Sequence, residues 1–207
     1  FEQIQMLNNR LVNTERILQR ERSKLQVVNK ELNNRLVKDA LTGLVSRYQY
    51  RAEIEHTIAS ATKEKGIFVF IDIDDFKKVH DTHGHQIGDM YLIEFAKRLQ
   101  SIPIEDSVKM RISGDEFGFF VHKIKNDVRD DMLRIWELIK QHILFGPIVT
   151  EAGDSPLSVS AGMSSYGRDT TDIYDLIEYA DFAMYKAKKS GKNRCAEFDI
   201  EEYAAAK

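Results

Sequence analysis

Two neighbouring acids, Asp115 and Glu116, stand in the stretch VKMRISGDEFGFFV, between runs of Val, Met, Ile and Phe. The flanking residues predict a hairpin over 107–112 and 117–122, with Ser113-Gly114-Asp115-Glu116 at its tip. A third acid, Asp72, closes the apolar run IFVFID. Residues Ile67 to Ile71 do not alternate, which predicts a central strand buried on both faces. A carboxylate at the end of such a strand is rigidly held and half desolvated. With the hairpin beside that strand, three carboxylates approach one another. At low dielectric they repel unless a cation lies between them. Hard oxygen donors favour Mg²⁺, with Mn²⁺ as a substitute, over zinc. His83 and His85 flank Gly84 and read as a turn pair rather than ligands. Taken singly, each acid is equally well explained by solvation.

The elements that must position these acids follow from pattern. A turn and helix start are expected at DALTGLVSRYQY, with Ser46 as an N-cap and the helix running to about Lys63. Gly66 breaks it before the apolar strand. A short helix over 75–82 and a longer one in HQIGDMYLIEFAKRLQSI precede the hairpin. A helix over about 126–143 follows it. LSVSAGMSSY alternates like a half-buried strand. TDIYDLIEYADFAMYKAKKSG is an amphipathic helix with Asp172 near its start and Gly191 as its stop, and a last strand is expected over 194–198. This order predicts an α+β fold, a mostly antiparallel sheet with helices packed on it.

Residues 1–38 lack Gly and Pro. With Ile4 at heptad position a, the series Ile4, Leu11, Leu18, Leu25 and Leu32 is aliphatic throughout. Position d (Leu7, Thr14, Glu21, Val28, Arg35) is only partly apolar. A narrow stripe of that period on a polar helix predicts a coiled coil, most simply a parallel dimer, over a single helix lying on the domain. The expected division is a dimerisation and signalling helix over 1–38 and a globular domain over 39–207. Phe1 opens mid-pattern, so an upstream sensor is expected beyond it, and with it any membrane attachment. Of the 207 residues 43% are apolar, enough for a sizeable core, and Lys+Arg 30 against Asp+Glu 33 leaves a net charge of -3. No basic tract favours nucleic acid as a partner. The single cysteine, Cys195, excludes an internal disulfide, fits a reducing cytoplasm, and reads as a strand residue rather than a nucleophile.

The chain resembles GGDEF domains, the catalytic domains of diguanylate cyclases. DALTGLVSR, FIDIDDFKKVHDTHGHQIGD, RISGDEFGFF and ADFAMYKAKKSGKNR carry the resemblance, in the family's order, over about 39–198. It implies a palm-like fold similar to adenylyl cyclases, and condensation of two GTP into cyclic di-GMP with release of two pyrophosphates, each subunit of a homodimer holding one GTP. Asp72, Asp115 and the Ile73 carbonyl would hold Mg²⁺, with Glu116 as a further ligand or the base. Ser113 and Gly114 would let the nucleotide approach the hairpin backbone. Lys77 and the amides around Phe76 would meet the outer phosphates, joined by Lys188 and Lys192. Asp89 would accept from guanine.

Three departures stand out. His80 occupies a position where the family usually has Asn reading the guanine edge; imidazole is bulkier, but still donates and accepts. Ser113 replaces the first Gly of the signature, which is tolerable unless φ must be positive there. The family's inhibitory Arg-x-x-Asp aligns with Ile104–Ser107, IEDS, which has no Arg. His80 leaves room for two alternatives to a GTP-specific cyclase: a degenerate module that binds GTP or dimerises without turnover, and a cyclase with broadened base choice.

Overall fold

The structure is a computed structural model that describes residues 2–60, 65–124 and 126–207 and, in the first helix, part of the side chains. The chain divides into two compact units, Phe1–Val37 and Lys38–Lys207. The first is a single helix, α1 (Glu2–Val37). Of its described apolar side chains, Met6, Val12, Ile17, Leu18 and Leu25 are exposed, and Val37 at its end is half-buried. The side chains of Ile4, Leu7, Leu11, Val28, Leu32 and Arg35, most of the expected seam, lie outside the described residues. No described helix is long and apolar enough to cross a membrane.

The second unit runs α2 (Tyr50–Ala59), β1 (Gly66–Ile73), α3 (Phe76–Gln100), β2 (Ser107–Ser113), β3 (Glu116–Val121), α4 (Val128–His142), β4 (Ile148–Thr150), β5 (Gly153–Ser155), β6 (Val159–Tyr166), α5 (Ile173–Lys189), β7 (Arg194–Glu197) and α6 (Ile200–Ala206). Among the described residues five strands form one sheet in the order β2-β3-β1-β6-β7, and β4 and β5 form a separate hairpin. Every pairing in the large sheet is antiparallel except β6 with β7. The fold is therefore α+β, with a mostly antiparallel sheet between helices. β1 is central and fully buried, as its unbroken apolar run requires. Successive side chains alternate between faces. Ile67, Val69, Ile71 and Ile73 join a core with Phe95 and Leu99 of α3 and Ile135 and Ile139 of α4. Phe68 and Phe70 join another with Tyr50 and Ile54 of α2 and Leu176, Ala180 and Met184 of α5.

Several boundaries differ from expectation. Ser46 is not the N-cap; Gln49 is, without a side-chain capping bond. Ser46 instead closes a turn ahead of α2, its carbonyl accepting the amides of Gln49 and Tyr50 at 3.0 Å. α2 ends at Ala59, and Lys63 lies outside the described residues. The two helices expected on either side of the histidines are joined as α3 and broken at Gly84, where φ is 80° and ψ 173°. β6 is buried on both faces rather than half-exposed. Its serines look solvated in sequence but are small enough to admit α5. A Cβ on Gly162 would lie 2.1 Å from both Ala180 O and Met184 N, and the Ser164 hydroxyl donates to Leu176 O at 2.5 Å. The β4–β5 hairpin and α6 were not expected: three-residue strands and a seven-residue helix are too short to show a period.

Candidate active site

The acids meet where β1 leaves the sheet. Asp72 lies opposite Glu116 of β3 on one side and Ser160 of β6 on the other. One residue on, the Ile73 amide donates to the Asp115 carbonyl at 3.2 Å. The hairpin tip is thus tied to the strand end. Arg111 holds it from the far side, donating from Nε and Nη2 to Gly114 O at 3.0 and 2.8 Å and from Nη1 to Asp39 Oδ1 at 3.0 Å. Asp39 also accepts the amide and hydroxyl of Thr42, at 2.9 and 2.7 Å. The DALTG turn is therefore a brace for the hairpin. At the tip Gly114 has φ 38°, where a side chain is strained. Ser113 is not among the residues of positive φ, so the condition for tolerating serine there is met.

The Asp72 side chain is only 6% exposed, and Lys188 Nζ of α5 lies 2.6 Å from its Oδ2. Burial pushes the Asp72 carboxyl up to about 6; Lys188 pulls it down through its hydrogen bond and charge, while the charges of Asp115 and Glu116 add to the push. Among the described residues no group of three or more His, Cys, Asp or Glu side chains is gathered closely enough to hold a metal by itself. The donors nevertheless suit a hard cation: all are oxygens, and they carry mutually repelling charge that the half-buried Lys188 ammonium partly offsets. Such a cation takes its remaining ligands from water or phosphate.

Next to the acids, Asp75 adopts φ 57° and precedes the first turn of α3. Lys77 is exposed on that turn. The Phe76 ring is buried, 5.8 Å from Tyr91 and 5.4 Å from His80 between centroids, so the side chain is taken up by the core. Lys192 Nζ and Lys78 Nζ each lie 3.0 Å from Asp75 Oδ1. Lys188 and Lys192, expected on phosphate, are thus paired with Asp72 and Asp75 here. Further along α3, Asp89 is exposed. His80 packs so close to Gly88 that a Cβ there would lie 2.2 Å from its Cδ2, and its Nε2 is 3.0 Å from His85 Nδ1. His83 is exposed. Cys195 sits on β7, where burial pushes its thiol up to about 12, which makes it a poor nucleophile.

Sequence reasoning missed Arg111, Asp74 and His85 as parts of this region. For Arg111 the available signal was a cation two residues before Ser113, within reach of the tip carbonyls. His85 was read as half of a turn pair with His83, whereas its partner is His80 across the Gly84 break.

A family model described as Diguanylate cyclase, GGDEF domain, matches residues 36–194. The chain belongs to the GGDEF family. This GGDEF domain is 33% identical over 170 residues to the biofilm architecture maintenance protein MbaA of Vibrio cholerae, covering 76% of this chain and 21% of that protein. It is 34% identical over 164 residues to diguanylate cyclase DgcZ of Escherichia coli, covering 78% of this chain and 53% of that protein. The chain thus spans less than two thirds of either relative. Among solved structures, the GGDEF domain of TpbB (YfiN) from Pseudomonas aeruginosa superposes with a TM-score of 0.72 at 28% identity, covering 82% of this chain and 98% of that one.

Proposed function

We propose that this GGDEF domain is a diguanylate cyclase, condensing two GTP into cyclic di-GMP and releasing two pyrophosphates. The observation that carries the reading is the register of β1 against β3, which sets buried Asp72 opposite Glu116 while Asp115 accepts the Ile73 amide. In this reading Asp72, Asp115 and the Ile73 carbonyl hold Mg²⁺, or Mn²⁺ in its stead, with Glu116 as a further ligand or the base. When bound, the cation polarises the α-phosphate and stabilises the attacking and leaving oxygens. Glu116, as base, takes the proton of the 3′-hydroxyl. The 3′-oxygen forms a bond to the α-phosphorus of the facing nucleotide, and the α–β bond breaks to free pyrophosphate. Ser113 and Gly114 leave the hairpin backbone open to the nucleotide. Lys77 and the amide of Phe76 meet the outer phosphates. Lys188 and Lys192 exchange their carboxylate partners for those phosphates. Asp89 accepts from the guanine edge, with His80 beside it. Residues 1–38 act as the helix that pairs two subunits, so that two nucleotides face each other, and relay the state of an upstream sensor.

The His80–His85 pair favours a second reading. His80 Nε2 is already engaged by His85 Nδ1, which reduces what the imidazole offers a base. A domain that binds GTP without turning it over would follow. Purified protein with GTP and Mg²⁺, assayed for pyrophosphate and cyclic dinucleotide, separates the two. The cyclase reading expects product, abolished by Asp115→Ala. No product from the unaltered chain, restored by His80→Asn, would decide for the second reading. ATP offered beside GTP reports base choice.

A further inference from the structure

Asp74 follows the metal-site strand, yet none of the roles above uses it. It is 8% exposed. A buried carboxylate is costly unless every lone pair finds a donor. Here the donors come from two separate places. The Ser160 hydroxyl donates to Oδ1 at 2.7 Å, and the Ser158 hydroxyl donates to Oδ2 at 3.0 Å. The third donor is the backbone amide of Asn193, 2.9 Å from Oδ2. The Asp74 amide in turn donates to Ser158 O at 2.9 Å. Asp74 thus joins the end of β1, the start of β6 and the turn between α5 and β7.

That turn is closed partly from within, the Gly191 amide donating to Lys188 O at 3.3 Å and the Lys192 amide to Ala187 O at 3.2 Å, and partly from outside. Gly191, Lys192 and Asn193 have φ of 113°, 60° and 47°, three consecutive positive values of which two belong to residues with side chains. Such a backbone persists only where its surroundings over-determine it. The Asp74 carboxylate supplies one fixed point, at the Asn193 amide. Asp75, its neighbour, supplies another through the Lys192 ammonium at 3.0 Å. Backbone and side-chain tip of Lys192 are therefore both referred to the same two residues at the mouth of the acid site.

We infer that Asp74 is a positioning residue for the triphosphate: its clasp on the Asn193 amide holds the strained 190–194 turn so that Lys192 faces the outer phosphates. This rests on the reading of Lys192 under Proposed function. Hydroxyls can rotate to donate or accept, whereas the Asn193 amide only donates. Asp74→Asn keeps an acceptor for it, and Asp74→Ala keeps none.

The test measures amide exchange at Asn193 together with affinity for the α,β-methylene analogue of GTP and for GMP. In Asp74→Ala the Asn193 amide should lose protection while β1 amides keep theirs. Affinity for the triphosphate analogue should fall about tenfold, the usual worth of a charge-assisted hydrogen bond, with GMP unaffected. Asp74→Asn should restore most of that loss. Should Asp74→Ala fail to fold, Ser158→Ala/Ser160→Ala loosens the same carboxylate, and about a threefold loss for the triphosphate alone is expected. Unchanged triphosphate affinity, or equal losses for the analogue and GMP, overturns the positioning role and leaves the clasp structural. An unaltered chain that binds the analogue no better than GMP overturns the assignment of the triphosphate site itself, and the positioning role with it; the exchange data then stand apart as a report on the turn.

Discussion

Asp39 shows how one carboxylate secures a hairpin that lies 72 residues away. Burial opposes its charge, but the Thr42 hydroxyl and amide and the Arg111 guanidinium outweigh burial and hold its pKa below the usual 3.8. A carboxyl depressed in the fold adds stability above its unfolded pKa and loses it as pH falls through the folded value. Asp39→Asn is therefore expected to cost about 1 kcal/mol at pH 7, and the gap to the unaltered chain should close below pH 4 in urea melts. A gap that widens on acidification would contradict the bonding described. The segment Ile104–Ser107 gives a second expectation at this scale. There the Ser107 hydroxyl donates to Ile104 O at 2.6 Å, and Asp106 receives Lys123 from beyond the segment. The segment itself supplies no guanidinium to clamp a phosphate, and Arg134 of α4 is the arginine that lines the pocket beside it. Without an arginine in the segment, cyclic di-GMP at low micromolar concentration should leave turnover unchanged. Product-inhibition curves check this directly.

At the scale of elements, the approach of α5 to β6 sets where Lys188 stands. Gly162 lies under the helix, and its missing Cβ leaves the space that Ala180 O and Met184 N occupy. Backbone atoms cannot swing aside. Gly162→Ala should lift the helix, cost about 1–3 kcal/mol in chemical denaturation, and raise KM for GTP, because Lys188 is one turn beyond Met184. Gly118 offers the control. There an added Cβ would meet side-chain atoms, Met110 Cγ at 2.7 Å, rather than backbone, so Gly118→Ala should cost less. Equal penalties at both positions would show that helix approach is not what Gly162 protects. Arg98 plays a comparable part for the chain leaving α4, donating from Nη1 to Ile143 O and Gly146 O at 3.0 and 2.7 Å and from Nη2 to Pro147 O at 2.6 Å.

For the whole molecule, both cores are built from residues of the second unit. A fragment of residues 38–207 should keep a melting temperature within a few degrees of the full chain. Its oligomeric state should not survive in the same way. Under the proposed reaction two nucleotides meet across a subunit boundary, so the fragment should lose specific activity on dilution while the full chain holds it better. Sedimentation and activity measured over the same concentration series check this together. A fragment that stays active when dilute would separate catalysis from pairing through residues 1–38.

Much of this molecule was legible in its sequence because local patterns carried it. The unbroken apolar run of β1 announced a central strand, and small and acidic residues between two β-forming runs announced the hairpin. Once both were placed, Asp72 and the hairpin-tip acids would come close if the strands paired. Pairing itself is non-local, and no residue pattern states it; the register of β1 between β3 and β6 came only with the folded sheet. The same holds for Asp74, whose donors Ser158, Ser160 and Asn193 are 84 to 119 positions away. It holds for Arg111 on Asp39, and for the serines of β6, which read as a wet face until α5 covered them. Residue types and short-range periods determined which chemistry the chain carries. Long-range contacts, which depend on how distant elements pack, decided which charges share a hydrogen bond and which lysine each acid holds.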